Sequence, residues 1–297
     1  QRPYFAVYTT LVDVIMSVLK KIGFLKSEPT LPGFGLSLGH TLLYLSLMVL
    51  IPLAGLILFT ADAGFAQLWQ SILEPRVLSA LKISLTTSFI AASINALMGL
   101  VLAWVLVRYT FPFKKIIDSI VDLPFALPTA VSGIALVTLY SKNGWIGRFL
   151  ESHNIQVAFT TTGIVIALIM IGLPFVVRTV QPVIENIDRE VEEAATTLGA
   201  GRFQRFRLVL FPNLLPPLIA GFSMAFARGI GEYGSVIFIA GNMPMKTEIA
   251  PLLIVIKLEQ YDYIGATAIA LTMLVFSFLV LLVLNFIQWW SSRQQNN

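Results

Sequence analysis

Few of the 297 residues can do chemistry. Cysteine is absent, and the only histidines are His40 and His153. The chain therefore has no thiolate site, no disulfide framework and too few histidines for a His-rich metal centre. No Lys follows a Gly, so there is no Walker A loop to hold the phosphates of ATP. Asp118 and Asp122 stand one helical turn apart. Paired carboxylates can do acid/base work, but no second carboxylate pair lies deeper in the apolar sequence. The expectation is a solvated helix start, with acids near the positive end of the dipole. Two constellations remain. Arg228 and Glu232 are spaced i, i+4 and surrounded by Gly229, Gly231 and Gly234. An Arg near the centre of a membrane helix costs about 2.5–3.5 kcal/mol, so such residues face a bundle interior or water. An acid four residues on can pair with it, and the glycines weaken the helix. The spacing predicts a bend or break lining a path, with Arg228 either facing an anion or held by Glu232; a purely internal pair that fixes packing is the alternative. The second constellation is Pro124, Pro128, Thr129 and Ser132. The prolines start or kink a helix, and the hydroxyls either donate into a cavity or serve ordinary packing.

The elements that carry these residues are read from the charges. Hydrophobic residues make up 57% of the chain and charged ones only 12%, about half the share of a soluble domain. A soluble enzyme fits this composition poorly, and a disordered chain, collagen and a coiled coil are excluded. Six charge-free windows are long enough for a membrane helix of roughly 20 residues: 30–61, 83–107, 123–141, 152–177, 208–227 and 263–292. The fifth is expected to continue past Arg228 to about Ile239. No ten-residue strand alternation recurs, which argues against a β-barrel. With both ends placed inside, thirteen Lys and Arg fall in the inner segments and six in the outer loops, the bias that the positive-inside rule requires. The first 30 residues lack the apolar core and cleavage site of a signal peptide. There Tyr8, Leu11, Val12, Ile15, Val18, Leu19 and Ile22 recur at helical spacing opposite Asp13, Lys20 and Lys21, which predicts an amphipathic helix in the inner interface.

The connection from Arg178 to about Phe211 is more than a linker. Asp188 can cap a helix, and Glu190, Glu192 and Glu193 suit its first turns. Val191, Ala195 and Leu198 form an apolar stripe with Ala194 beside it, and Gly199 can end the helix in a left-handed conformation. Arg202, Arg205 and Arg207 follow, and Pro212 opens the next span. Such a helix is marginal alone, and its small apolar face suits a close partner.

Glu193-Ala194-Ala195, Gly199 and Val209-Leu210-Phe211-Pro212 resemble the EAA loop of ABC importer permeases. The stretch Asp122-Leu123-Pro124-Phe125-Ala126-Leu127-Pro128-Thr129-Ala130-Val131-Ser132-Gly133, together with Arg228-Gly229-Ile230-Gly231-Glu232-Tyr233-Gly234, is similar to the sulfate/thiosulfate permeases of the T type, with molybdate permeases as close relatives. The resemblance runs from about Leu31 to the end of the sixth span. It implies an all-α, polytopic membrane protein with six transmembrane helices, an N-terminal interfacial segment (1–30), a permease domain (31–292) with its EAA loop at about 178–212, and a cytoplasmic tail (293–297). It implies that Glu192, Glu193, Ala194, Ala195, Leu198 and Gly199 form a coupling helix seated on an ATPase subunit. It also implies an ATP-driven importer in a bacterial-type inner membrane, with a second homologous permease, two ATPase subunits that bind ATP and Mg, and a periplasmic sulfate-binding protein; no nucleic acid and no cofactor of this chain's own are expected. On this reading Arg228, Gly231, Glu232, Pro128, Thr129 and Ser132 line the translocation pathway, and the outer segment 241–264 is a docking candidate for the binding protein or else a solvated loop. The physical need for ATP is plain: a dianion entering against 100 mV opposes about 5 kcal/mol. A molybdate or tungstate importer, a stand-alone secondary anion transporter and a purely structural subunit are the alternatives. The secondary transporter is the poorer fit, because only Glu232 could couple an ion and the EAA loop would have no purpose.

Overall fold

The computed structural model describes residues 34–62 and 64–295; the amphipathic segment expected over 1–30 lies outside them. The only regular secondary structure among the described residues is helical, without strands, and they fall into two compact units divided at Ala63.

The first unit contributes α1 (Phe34–Leu45) and α2 (Ile51–Asp62), joined by a π turn (Ser46–Leu50) into one continuous rod. Of the residues 37–60 only Thr60 is buried, and its hydroxyl is satisfied by Leu56 O at 2.6 Å. A helix that is apolar on every side belongs in a core or a membrane, and residues 37–60 are long and apolar enough to cross one.

The second unit holds α3 (Phe65–Ile72), α4 (Pro75–Arg108), α5 (Lys114–Val121), α6 (Leu123–Ala126), α7 (Thr129–Tyr140) and α8 (Trp145–Glu151). These are followed by α9 (Thr161–Asn186), α10 (Arg189–Thr197) and α11 (Arg202–Arg205). A second π turn (Phe206–Leu210) leads into α12 (Phe211–Ile230), then α13 (Val236–Ile239), α14 (Ala250–Glu259) and α15 (Tyr263–Gln295). Both π turns end two residues before a proline, Pro52 and Pro212. A proline offers no N–H and its ring crowds the carbonyl four residues back, so the ladder shifts by one residue.

The core is the contact of α4 with α9 and α12. Its centre is a cluster around Ala103, Leu106, Val176, Val177, Val180 and Leu214, each at most 1% exposed. Glycines admit the helices to one another: a Cβ at Gly99 of α4 would stand 2.7 Å from Val176 Cγ1, and one at Gly221 of α12 would stand 2.8 Å from Val176 Cα. Small residues at such contacts are how membrane helices gain dispersion energy where lipid offers no hydrophobic drive.

Among the described residues five helices are long and apolar enough to cross a membrane, and α7 is a shorter apolar one; the chain is a multi-pass membrane protein. Three details depart from the sequence reading. The third window is broken at Leu127 and Pro128 into α6 and α7. The fourth span does not stop at Arg178 but runs to Asn186. The fifth does not reach Ile239: α12 ends at Ile230, and 236–239 form a separate turn of helix.

Candidate functional site

At one end of the bundle, α10 follows Asp188 and stops at Gly199, whose φ of +86° is open to glycine at no steric cost. Gly199 N–H donates to Thr196 O and Ala200 N–H to Ala195 O, closing the last turn. Asp188 occupies the N-cap position without a side-chain bond to the helix. The outward face differs from the expected stripe. Val191, Ala194 and Leu198 are exposed together, Leu198 at 88%, whereas Ala195 turns with Glu192 toward the protein. Glu193 is exposed as well. Glu192 Oε1 forms an ion pair with Arg108 Nη2 at the end of α4, at 2.6 Å, and the Arg108 guanidinium lies over the Trp104 ring. Arg205 Nη1 donates to Thr196 Oγ1 at 2.9 Å, tying α11 to α10. The short helix is therefore fixed to two neighbouring elements by its polar side while its apolar side stays free.

The second constellation lies where α12 ends. Glu232 is 2% exposed. Its Oε2 pairs with Arg228 Nη1 at 2.5 Å, and its Oε1 accepts from Ser235 N–H at 2.9 Å and Ser235 Oγ at 3.0 Å. Each carboxylate oxygen thus has a donor, as a buried charge requires. The Arg228 side chain remains 36% exposed. Helix α7 packs directly on this turn: a Cβ at Gly133 would meet Ser235 O at 2.5 Å, and one at Gly234 would meet Thr129 Oγ1 at 2.1 Å. Thr129, Ser132 and Pro128 are therefore brought beside the break that holds the ion pair. Ser132 is buried and bonded weakly to Pro128 O at 3.5 Å, while Pro128 and Gly231 are exposed. The sequence reading missed Ser235, which carries half of Glu232's bonding; the signal was its place three residues on, where a helix start turns its N–H back. It missed Arg108 too, because nothing in the local pattern connects it with Glu192.

Three further ion-pair groups correct the sequence reading. Asp118 and Asp122 are partly solvated, and Asp122 does stand at a helix start, but both are paired rather than free. Arg178 Nε and Nη2 donate to Asp122 at 2.8 and 2.6 Å, Nη1 donates to Asp118 Oδ1 at 2.7 Å, and Nη1 also reaches Gln181 Oε1. The guanidinium holds the Asp122 carboxyl below the usual carboxylate range, against the smaller opposing pull of burial. At the opposite end of the bundle, segment 241–264 is not a solvated loop: it contains α14, and Glu248 within it is 1% exposed. Arg76 grips Glu248 through two parallel bonds of 2.8 and 2.7 Å, the bidentate geometry that suits a planar guanidinium. Lys257 meets Glu74 and Asp262, each at 3.0 Å. Burial works against its charge, but the carboxylates of Asp262 and Glu74 outweigh it and raise the ammonium's pKa. No cluster of metal-ligating side chains occurs among the described residues.

Residues 95–295 match the family described as "Binding-protein-dependent transport system inner membrane component". The chain is 47% identical over 262 residues to the sulfate transport system permease protein CysT of Salmonella typhimurium, covering 88% of this chain and 95% of that protein. It is also 47% identical over 257 residues to the CysT protein of Synechocystis, covering 86% and 90%. Among solved structures it is similar to a chain of a bacterial ABC transporter involved in the import of the acidic polysaccharide alginate. That match has a TM-score of 0.71, 17% identity, and coverage of 92% of this chain and 98% of the other. A second crystal structure, of a bacterial alginate ABC transporter in complex with its alginate pentasaccharide-bound periplasmic protein, matches with a TM-score of 0.70 at 21% identity, over 84% and 92% of the two chains. At these identities the two structures speak to the fold.

Proposed function

Because the chain belongs to the family of binding-protein-dependent transport system inner membrane components, we propose that it is the transmembrane permease subunit of an ATP-driven sulfate importer. The observation that carries the substrate is the identity of nearly half its residues with sulfate permeases over almost the whole chain. In this reading α10 lies on the cytoplasmic side, its Val191, Ala194 and Leu198 face seated on an ATPase subunit, and Glu192 keeps the seat registered against α4 through Arg108. The ATPase subunits carry the ATP and Mg. A second homologous permease completes the pathway, and a periplasmic sulfate-binding protein delivers the anion at the opposite end.

The Arg228–Glu232 pair suits a passage better than a trap. Its net charge is zero, so an anion beside it meets donors on the open edge of the guanidinium without a net positive field. A strong isolated cation in low dielectric would bind tightly and release slowly. Thr129 and Gly231 border the same turn, and we assign them with Pro128 and Ser132 to the pathway wall.

Proteoliposomes holding this chain, the second permease and the ATPase subunits, with sulfate-binding protein outside, test the reading. Sulfate accumulation that needs ATP and survives ionophores is expected, as is its loss when Leu198→Asp blocks the seat. Uptake driven by an ion gradient without ATP, or unchanged uptake when the chain is left out, overturns it. Running thiosulfate and molybdate in parallel ranks the anions.

A further inference from the structure

A cleft of about 400 Å³ opens in the second unit where α4, α12 and α15 diverge below α3. Leu78 and Leu85 of α4, Ile230 of α12, and Met273 and Phe276 of α15 line it, and Lys82 stands among them. Ile230 is two residues from Arg228, about 200° around the helix, so the cleft faces away from the ion pair and the turn against α7. Leu78 is 44% and Phe276 45% exposed, so the lining is open sideways.

Lys82 is exposed, and its ammonium has no ion-pair partner among the described residues. The chain from Ile83 to Val107 is free of charge, with Lys82 at one end and Arg108 at the other. On one straight helix those two residues are about 39 Å apart, close to the 40–45 Å of a bilayer with its headgroups. Lys82 therefore stands at headgroup level. Phe276 lies thirteen residues into α15, about 20 Å from its start, so the apolar floor extends toward the bilayer centre. An apolar slot of this depth, beneath one unpaired cation at the lipid–water boundary, matches a molecule with a negative head and a hydrocarbon tail.

We propose that this cleft binds one acidic phospholipid from the leaflet at the Pro75 end, its phosphate on Lys82 and one acyl chain between α4 and α15. The site is independent of sulfate transport and stands or falls separately from it. Native mass spectrometry of the full-length chain, titrated with phosphatidylglycerol and with phosphatidylcholine, reads it directly. One saturable phosphatidylglycerol adduct is expected, favoured about fivefold over phosphatidylcholine, the ratio that one lysine near an anionic surface supplies. Lys82→Gln should abolish the preference while leaving equal, weaker adducts of both lipids, and Lys82→Arg should keep it. Met273→Trp, which fills the slot, should weaken both adducts. Equal binding of the two lipids by the unaltered chain, a preference that survives Lys82→Gln, no adduct of either lipid, or displacement by millimolar inorganic phosphate each overturns the proposal. The last would make Lys82 a free-anion site.

Discussion

Removing Arg228 leaves a carboxylate that is 2% exposed without its counter-ion. Breaking an enclosed pair from one side costs about 3–5 kcal/mol. A third of the Arg228 side chain is open, so the loss for Arg228→Met is expected at about 2–4 kcal/mol. The double variant Arg228→Met with Glu232→Leu should recover much of that stability yet not uptake. Thermal unfolding in detergent, paired with transport, separates the two effects, and a double variant as unstable as the single one shows that the pair does not hold the turn. Asp122 gives a second test. Its folded-state pKa is lowered by Arg178. The stability that this adds is complete above the unfolded value of about 4 and is lost as the pH falls through the lowered one. Asp122→Asn should therefore cost about 1 kcal/mol at neutral pH, since the pair is half open to solvent. The gap from the unaltered chain should close on acidification below pH 4, followed by unfolding midpoints across that range.

At the scale of elements, α10 is attached through its polar side. The Arg108–Glu192 pair ties the end of α4 to α10. Glu192→Arg alone sets two cations together and should sever that link: ATP hydrolysis continues, and anion transported per ATP falls severalfold. Exchanging the two charges, Arg108→Glu with Glu192→Arg, should restore part of the ratio; equal ratios in all three proteins remove the pair from coupling. Here the reach of sequence reasoning is visible. The bounds of α10 were legible because first-turn acids and a left-handed glycine mark its two ends within a few residues. Five of the six charge-free windows fall on the long apolar helices for the same reason: length and apolarity are local. The end of α9 was not legible. Arg178 looked like the start of a polar loop, but Asp118 and Asp122, far away in the chain, neutralise it and let the helix run on to Asn186. Glu248 and Arg76 hid α14 in the same way. The break after Ile230 was announced by its glycines, but its exact place depends on Ser235 turning back to Glu232.

For the whole molecule, the proposed orientation sets the two ends on opposite faces of the membrane. The absence of cysteine makes the natural chain its own labelling background. Trp145→Cys, replacing a side chain that is 90% exposed at the α8 end, should react with an impermeant thiol reagent on intact cells. Leu198→Cys should react only after the cells are permeabilised, and the reverse pattern inverts the topology. The same geometry explains why the two constellations, remote in space, share one element. From Arg202 to Ile230 the chain is a single length of helix, foot beside α10 and tip at the Arg228 turn, with its one irregular turn near the foot. Such a piece is a lever with a hinge at its base. A tilt of about 5° over its roughly 43 Å swings the tip by almost 4 Å, comparable to the reach of the ion pair itself. In the proposed function, a modest displacement at the α10 end would thus be enough to shift the polar turn against α7.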